Sequence, residues 1–180
     1  MRAVLDACVL YPTVLREVLL GLAGQGLFVP LWSPRLIEEW ARAAARLGAG
    51  QEVVARGEAV AAALRFPGAS VAFPPGAELM LDLPDADDRH VLAAAIAADA
   101  DVIVTLNLRD FPGWALAPHG IRALHPDEFL LGLWRDHPRA VAGVVEAVRA
   151  EAERLSGEAQ PLRALMKRAR LPRLGKALAG

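Results

Sequence analysis

Apolar residues along this chain fall either into short solid runs or into longer spaced stripes, and the alternation between the two predicts the elements. Residues 2–5 (RAVL) form a run closed by Asp6, which reads as a buried strand with a carboxylate at its C-terminal end. Pro12 stands where a first helical turn tolerates it, and 13–22 place apolar residues at 14, 15, 18, 19 and 22, a helical period. Gly24 and Gly26 end that pattern. Residues 27–32 fit either a short strand or a packed loop. Ser33-Pro34 then offers an N-cap followed by proline at the first helical position. The helix it opens, from Pro34 to about Leu47, carries Leu36, Ile37, Trp40, Ala44 and Leu47 on one face. A further helix is predicted from about Glu52 to Arg65, stopped by Phe66-Pro67-Gly68.

Residues 70–73 (SVAF) are a strand candidate, followed by a loop at Pro74-Pro75-Gly76. A helix is expected to start near Asp85–Asp87, where the acidic cluster suits the positive end of the helix dipole, and to reach about Asp99. Residues 102–105 (VIVT) are β-branched and read as a buried parallel strand, and 121–124 (IRAL) as the last one. Beyond Pro126 the pattern is helical throughout: to about Trp134, from about Arg139 to Leu155, and from about Pro161 to Ala169. The order predicts an α/β fold, a three-layer α/β/α sandwich with a mostly parallel sheet at 1–125, plus a C-terminal helical extension at 126–180.

Composition narrows the class. With 180 residues, 54% of them hydrophobic, the chain can bury a core without staples and is not disordered. Its single cysteine, Cys8, permits no internal disulfide and no cysteine-based zinc site, in keeping with a cytoplasmic setting. The longest strongly apolar window, 91–98, is eight residues, far short of the roughly 20 of a membrane span. The formal net charge of -1 conceals an asymmetry: 9 basic and 14 acidic residues in the first 120 positions, 11 and 7 in the last 60. Residues 163–176 hold six cations and no acid, a footprint for phosphate or for an acidic partner, or else a solvated helix face.

The acids fall where chemistry is expected. Ligands bind outside the carboxyl ends of parallel strands. Asp6 follows the first strand, Asp110 and Asn107 follow VIVT, and Asp85, Asp87 and Asp88 open the helix feeding that strand. Crowded carboxylates repel one another unless a divalent cation sits among them. An all-oxygen set without a His or Cys cluster suits Mg²⁺ or Mn²⁺. Such a cation beside phosphate supports hydrolysis of a phosphate ester. The plainer reading of Asp87 and Asp88 is helix capping.

Four segments, VLDACVLYP, SPRLIEEW, DADDRHVLAAAI and VIVTLNLRDFP, resemble in order and spacing a PIN domain, and within it the VapC-type toxins of bacterial toxin–antitoxin pairs. The resemblance covers about residues 1–125, and HPDEFLLGL at 125–133 looks like the helical extension of one VapC-like subgroup. It implies an endoribonuclease dependent on Mg²⁺ or Mn²⁺, RNA as substrate, a cognate antitoxin that covers the site, and a homodimer. Carried over by position, the acids are Asp6, Glu39 (with Glu38 as the alternative), Asp88 (with Asp87 beside it) and Asp110. Asn107 stands where many relatives carry an acid, and Cys8 where many have Ser, Thr or Asn. Thr105 falls where PIN domains often place a hydroxyl near the metal.

Other residues have two readings each. Arg89 and Arg109 either hold phosphate or offset the acids, and Trp114 is the best placed of four tryptophans to stack on an RNA base. His90, one turn into the acidic helix, is either a phosphate contact or simply packed. Two other functions compete. A phosphatase with Asp6 as nucleophile would want a second Asp two positions on, where Cys8 stands. A non-catalytic PIN module binding RNA or protein remains open because of Asn107.

Overall fold

The structure is a computed structural model covering residues 1–180. Its sheet is built from β1 (Arg2–Leu5), β2 (Val29–Leu31), β3 (Val102–Val104) and β4 (Arg122–Leu124), in the order β2-β1-β3-β4, every pair parallel. The helices are α1 (Ala7–Leu10), α2 (Thr13–Gly24), α3 (Pro34–Ala45), α4 (Gln51–Arg65), α5 (Arg89–Ala97), α6 (Gly113–Leu116), α7 (Pro126–Asp136), α8 (Pro138–Ser156), α9 (Leu162–Arg168) and α10 (Pro172–Leu178). The architecture is the expected α/β/α sandwich with helices added at its C-terminal end.

The centre of the sheet is the pairing of β1 with β3, in the register Ala3–Val102, Val4–Ile103 and Leu5–Val104. All six side chains are completely buried. That is why both strands read as solid apolar runs rather than as alternating ones. The open choice at 27–32 resolves as β2 flanked by buried packing. Phe28 meets Phe129 of α7 edge to face at 5.0 Å, and Trp32 meets Phe66 at 6.2 Å.

Three local expectations are corrected. Residues 70–73 form no strand; Ser70 makes one isolated parallel bridge to Trp32. The pairing stops there because Ser33 already caps α3, its hydroxyl accepting from the Leu36 amide at 3.2 Å. Leu47 is 66% exposed, because α3 ends at Ala45 and the chain turns before Gly48. The last predicted helix is followed by another, α10, opened by Pro172 at its first position.

The added helices share the apolar core of the sandwich. Val141, Val144, Val145, Leu165, Met166 and Leu174 belong to the same buried cluster as β1 and β3. α8 lies so close on α2 that a Cβ at Gly21 would stand 2.6 Å from Val144 Cγ1. Arg16 is buried beneath α3 and α4, donating to the Leu10 carbonyl at 2.9 Å, pairing with Glu58 at 2.8 Å and lying over the Trp40 ring at 4.8 Å. α10 has no local cap of its own. Its first amides, Arg173 and Leu174, instead donate to the buried carboxylate of Asp127 on α7, both at 2.9 Å.

A helix start buried without acceptors is costly, and bonds to a charged acceptor are worth more than neutral ones. Asp127→Ala is therefore expected to cost about 3 kcal/mol in urea unfolding and to lower the thermal midpoint by roughly 6–12 °C. An unchanged midpoint would show that α10 is held without this carboxylate.

Candidate functional site

The site begins where β1 and β3 end. The Asp6 amide donates to the Val104 carbonyl at 3.1 Å, which carries the ladder one residue beyond the strands and brings Asp6 beside Thr105. The buried Thr105 hydroxyl donates to Asp6 Oδ2 at 2.6 Å, and the Cys8 thiol donates to the same oxygen at 3.1 Å. Cys8 Sγ in turn accepts from the Leu106 amide at 3.2 Å, and Thr105 Oγ1 accepts from the Asn107 amide at 3.0 Å. One carboxylate thus fixes the loop that leaves β3. Burial above all, and then the neighbouring Asp6 charge, pushes the Cys8 thiol up to about 12. It stays protonated and serves as a donor.

Along that loop the Asn107 side-chain amide donates to Asp110 Oδ2, at the end of a 3-10 turn (Leu108–Asp110). Opposite lies a second 3-10 turn (Ala86–Asp88) that leads directly into α5. Asp85 caps this turn, its Oδ1 accepting from the Asp87 amide at 2.9 Å. Asp85, Asp88 and Asp110 each present an oxygen within 4.8 Å of the others. Half-buried Asp88 feels the crowding most. Burial first, then the Asp6 charge, then its hydrogen bond to Asp110 and the charges of Asp110 and Asp85, push it up to about 7.

Glu39 stands apart from that trio. Its Oε1 accepts from Arg35 Nε at 3.1 Å and lies 3.0 Å from Nε2 of buried His90 on α5. Burial pulls this carboxyl upward, but His90 and Arg35 together outweigh it and hold the group below its usual value. Arg35 also donates to the Asp87 carbonyl at 3.2 Å, so α3 is tied once to the acidic turn and once, through Glu39 and His90, to α5. Glu38, the alternative, is taken up by Arg56 through two bonds of 2.8 Å and by Arg42 at 3.6 Å. Asp87 is exposed and contributes no oxygen to the trio.

Among the remaining candidates, Arg89 is half-buried, Arg109 is exposed on its turn, and Trp114 on α6 is 60% exposed, free to meet a ligand face. Three residues were not singled out for the roles they have here. Asp85 read only as a helix-start acid, although the Asp-Ala-Asp-Asp run was its signal. Arg35 and His90 are visible as partners of Glu39 only once α3 and α5 are packed together.

An all-parallel sheet with carboxylates gathered beyond the ends of its central strands is the architecture of a PIN-type domain. The chain belongs to that family: the model described as PIN domain matches residues 2–109. A stretch of 64 residues is 55% identical to a Mycobacterium tuberculosis protein named "Putative ribonuclease VapC50". The aligned part is 33% of this chain and 38% of that relative's length. No solved structure matches the chain.

Asp88 titrates higher in the folded protein than in the unfolded chain, so the folded state binds more protons between about pH 4 and 7. In metal-free protein, stability contributed through this group is therefore full below that window and declines as pH rises across it. Thermal melting in EDTA should show this decline, and Asp88→Asn should flatten it. A wild-type midpoint that does not fall over this range would show that burial and the neighbouring acids do not raise Asp88.

Proposed function

We propose that this chain is a divalent-cation-dependent endoribonuclease of the VapC type, the toxin of a toxin–antitoxin pair. The observation that carries the reading is the convergence of Asp85, Asp88 and Asp110, where burial and then the charge of nearby Asp6 push Asp88 up to about 7. These donors fit a hard cation. All are carboxylate oxygens, no His nitrogen belongs to the trio, and the one thiol nearby is protonated and already bonded. Mg²⁺ or Mn²⁺ held there would relieve the repulsion, activate water and stabilise charge on a phosphodiester.

The chain's own residues have separable tasks. Asp6, Asp88 and Asp110 hold the cation, with Asp85 beside them. Thr105 and Cys8 occupy one oxygen of Asp6 and so set the direction of the other. Asn107 orients Asp110 in the same way, in place of a further acid. Glu39, held by Arg35 and His90, keeps α3 against the acidic turn and stands ready to accept a proton or a water. Hydrolysis then breaks a P–O bond of the RNA backbone, water adding to phosphorus as the sugar oxygen leaves. Arg89 and Arg109, each next to an acid in the chain, and exposed Trp114 serve as phosphate and base contacts.

The same reading places the nuclease machinery in 1–125 and treats 126–180 as its extension. A protein partner is supported by α4, where Val53 (74% exposed), Val60 (60%) and Leu64 (79%) line one face. Such a stripe suits an antitoxin helix or a second copy of the chain. No helix is long and apolar enough to cross a membrane, and the RNA substrate argues for the cytoplasm.

Asp6→Asn is the decisive variant. It should weaken Mn²⁺ binding measured by calorimetry and lower RNA cleavage by at least about a thousandfold, as should EDTA on the wild type. Cleavage that survives both would overturn the metal mechanism.

A further inference from the structure

Beside the acids lies a groove of about 470 Å³, within the range of roughly 300–1,000 Å³ typical of ligand sites. Its wall on the sandwich side is built from Cys8, Tyr11 and Leu106, and its opposite rim from Arg168 and Arg170 of the extension. The first wall is continuous with the site: Cys8 donates to Asp6, and the Leu106 amide donates to Cys8. The rim is cationic and uncompensated. Arg163, Lys167, Arg168, Arg170, Arg173 and Lys176 are all exposed, and none forms an ion pair.

Arg170 occupies an unusual backbone position. It follows α9 with φ of 63°, while the Leu171 amide donates to the Met166 carbonyl at 2.8 Å and the Arg170 amide to the Lys167 carbonyl at 3.1 Å. This is a left-handed helix terminus, the place where glycine is ordinarily preferred. An arginine there accepts backbone strain that glycine would not. It also sets a guanidinium at the groove rim.

We propose that this groove is a binding site for the backbone of single-stranded RNA, with Arg168 and Arg170 gripping a phosphate and Tyr11 offering a ring to a base, so that the strand is led to Asp6. The proposal rests on the nuclease reading above. Guanidinium groups match phosphate oxygens in pairs; neither arginine has an ion pair to give up, and Arg168 exchanges only its bond to the neutral Gln160 amide oxygen. An acidic peptide would satisfy the cations too. Phosphates on both sides of a scissile bond must be held, however, and the groove shares Cys8 with Asp6.

The test uses the full chain and a fluorescent 20-nucleotide single-stranded RNA, titrated in EDTA so that no cleavage occurs. The variant is Arg168→Gln with Arg170→Gly. Because glycine suits the left-handed position, melting should show the variant at least as stable as the wild type. RNA binding should weaken by about tenfold, and the salt slope of log affinity should fall by about 0.7 for the phosphate no longer neutralised. Equal affinity and slope in both proteins would overturn the proposal. So would a loss seen only with a polyglutamate peptide, which would make the groove a protein dock. Cleavage with Mn²⁺ is measured alongside. If the wild type cleaves RNA and the double variant binds it unchanged, the groove falls and the nuclease reading stands. If the wild type never cleaves with Mn²⁺, the nuclease reading falls, whatever the binding shows.

Discussion

The parallel pairing of β1 with β3 is the constraint on which everything else hangs. Buried backbone groups must find partners, and two fully apolar strands in the centre of a sheet have only each other and their outer neighbours. Because the ladder continues past the strands, through the Asp6 amide to Val104 and the Thr105 amide to the Leu124 carbonyl, a charged group is delivered to the boundary between core and solvent. Asp6 is only 8% exposed there. A carboxylate in that place needs donors, and Thr105 and Cys8 supply them. The polar site is thus a direct product of apolar strand register: a slip by one residue would turn the side chains of β1 to the opposite faces and separate Asp6 from Thr105.

Electrostatics then works against the fold that produced it. Two 3-10 turns bring three acids together near a fourth, and burial, then the neighbouring charges, lifts Asp88 far from its ordinary range. Arrangements that cost stability persist where the cost has a use. The supporting ties bear this out in their distribution. Arg35 and His90 bind Glu39, and Arg56 and Arg42 bind Glu38, but no cation lies in ion-pair contact with Asp85, Asp88 or Asp110. The trio is left for something that the chain itself does not provide.

Much of this was legible in the sequence because it is local. The RAVL and VIVT runs, the Ser33-Pro34 helix start and the acidic opening of α5 each announce themselves within a few residues, and strand ends locate Asp6 and Asp110. What could not be read is whatever depends on packing between distant segments. Glu38 and Glu39 differ by one position on a helix, and only the approach of α4 and α5 decides that Arg56 takes the first and His90 the second. Short elements were equally opaque: α10 is seven residues with a glycine in it, and its capping group lies 46 positions away on α7. The SVAF run had the right composition for a strand but no free partner edge once Ser33 had turned into α3.

The rigid seating of the extension has a consequence for its charge. A loose tail carrying six cations would collapse onto the acidic half of its own molecule, since the two halves differ in formal charge by nine units, -5 against +4. Such a tail would act as a built-in competitor for the acids. Docked through Asp127, the Phe28–Phe129 contact and the close seam at Gly21, the cations are denied that excursion. The cations stay where the fold sets them, Arg168 and Arg170 in the groove they share with Cys8. Any ligand that meets them finds no chain left to order.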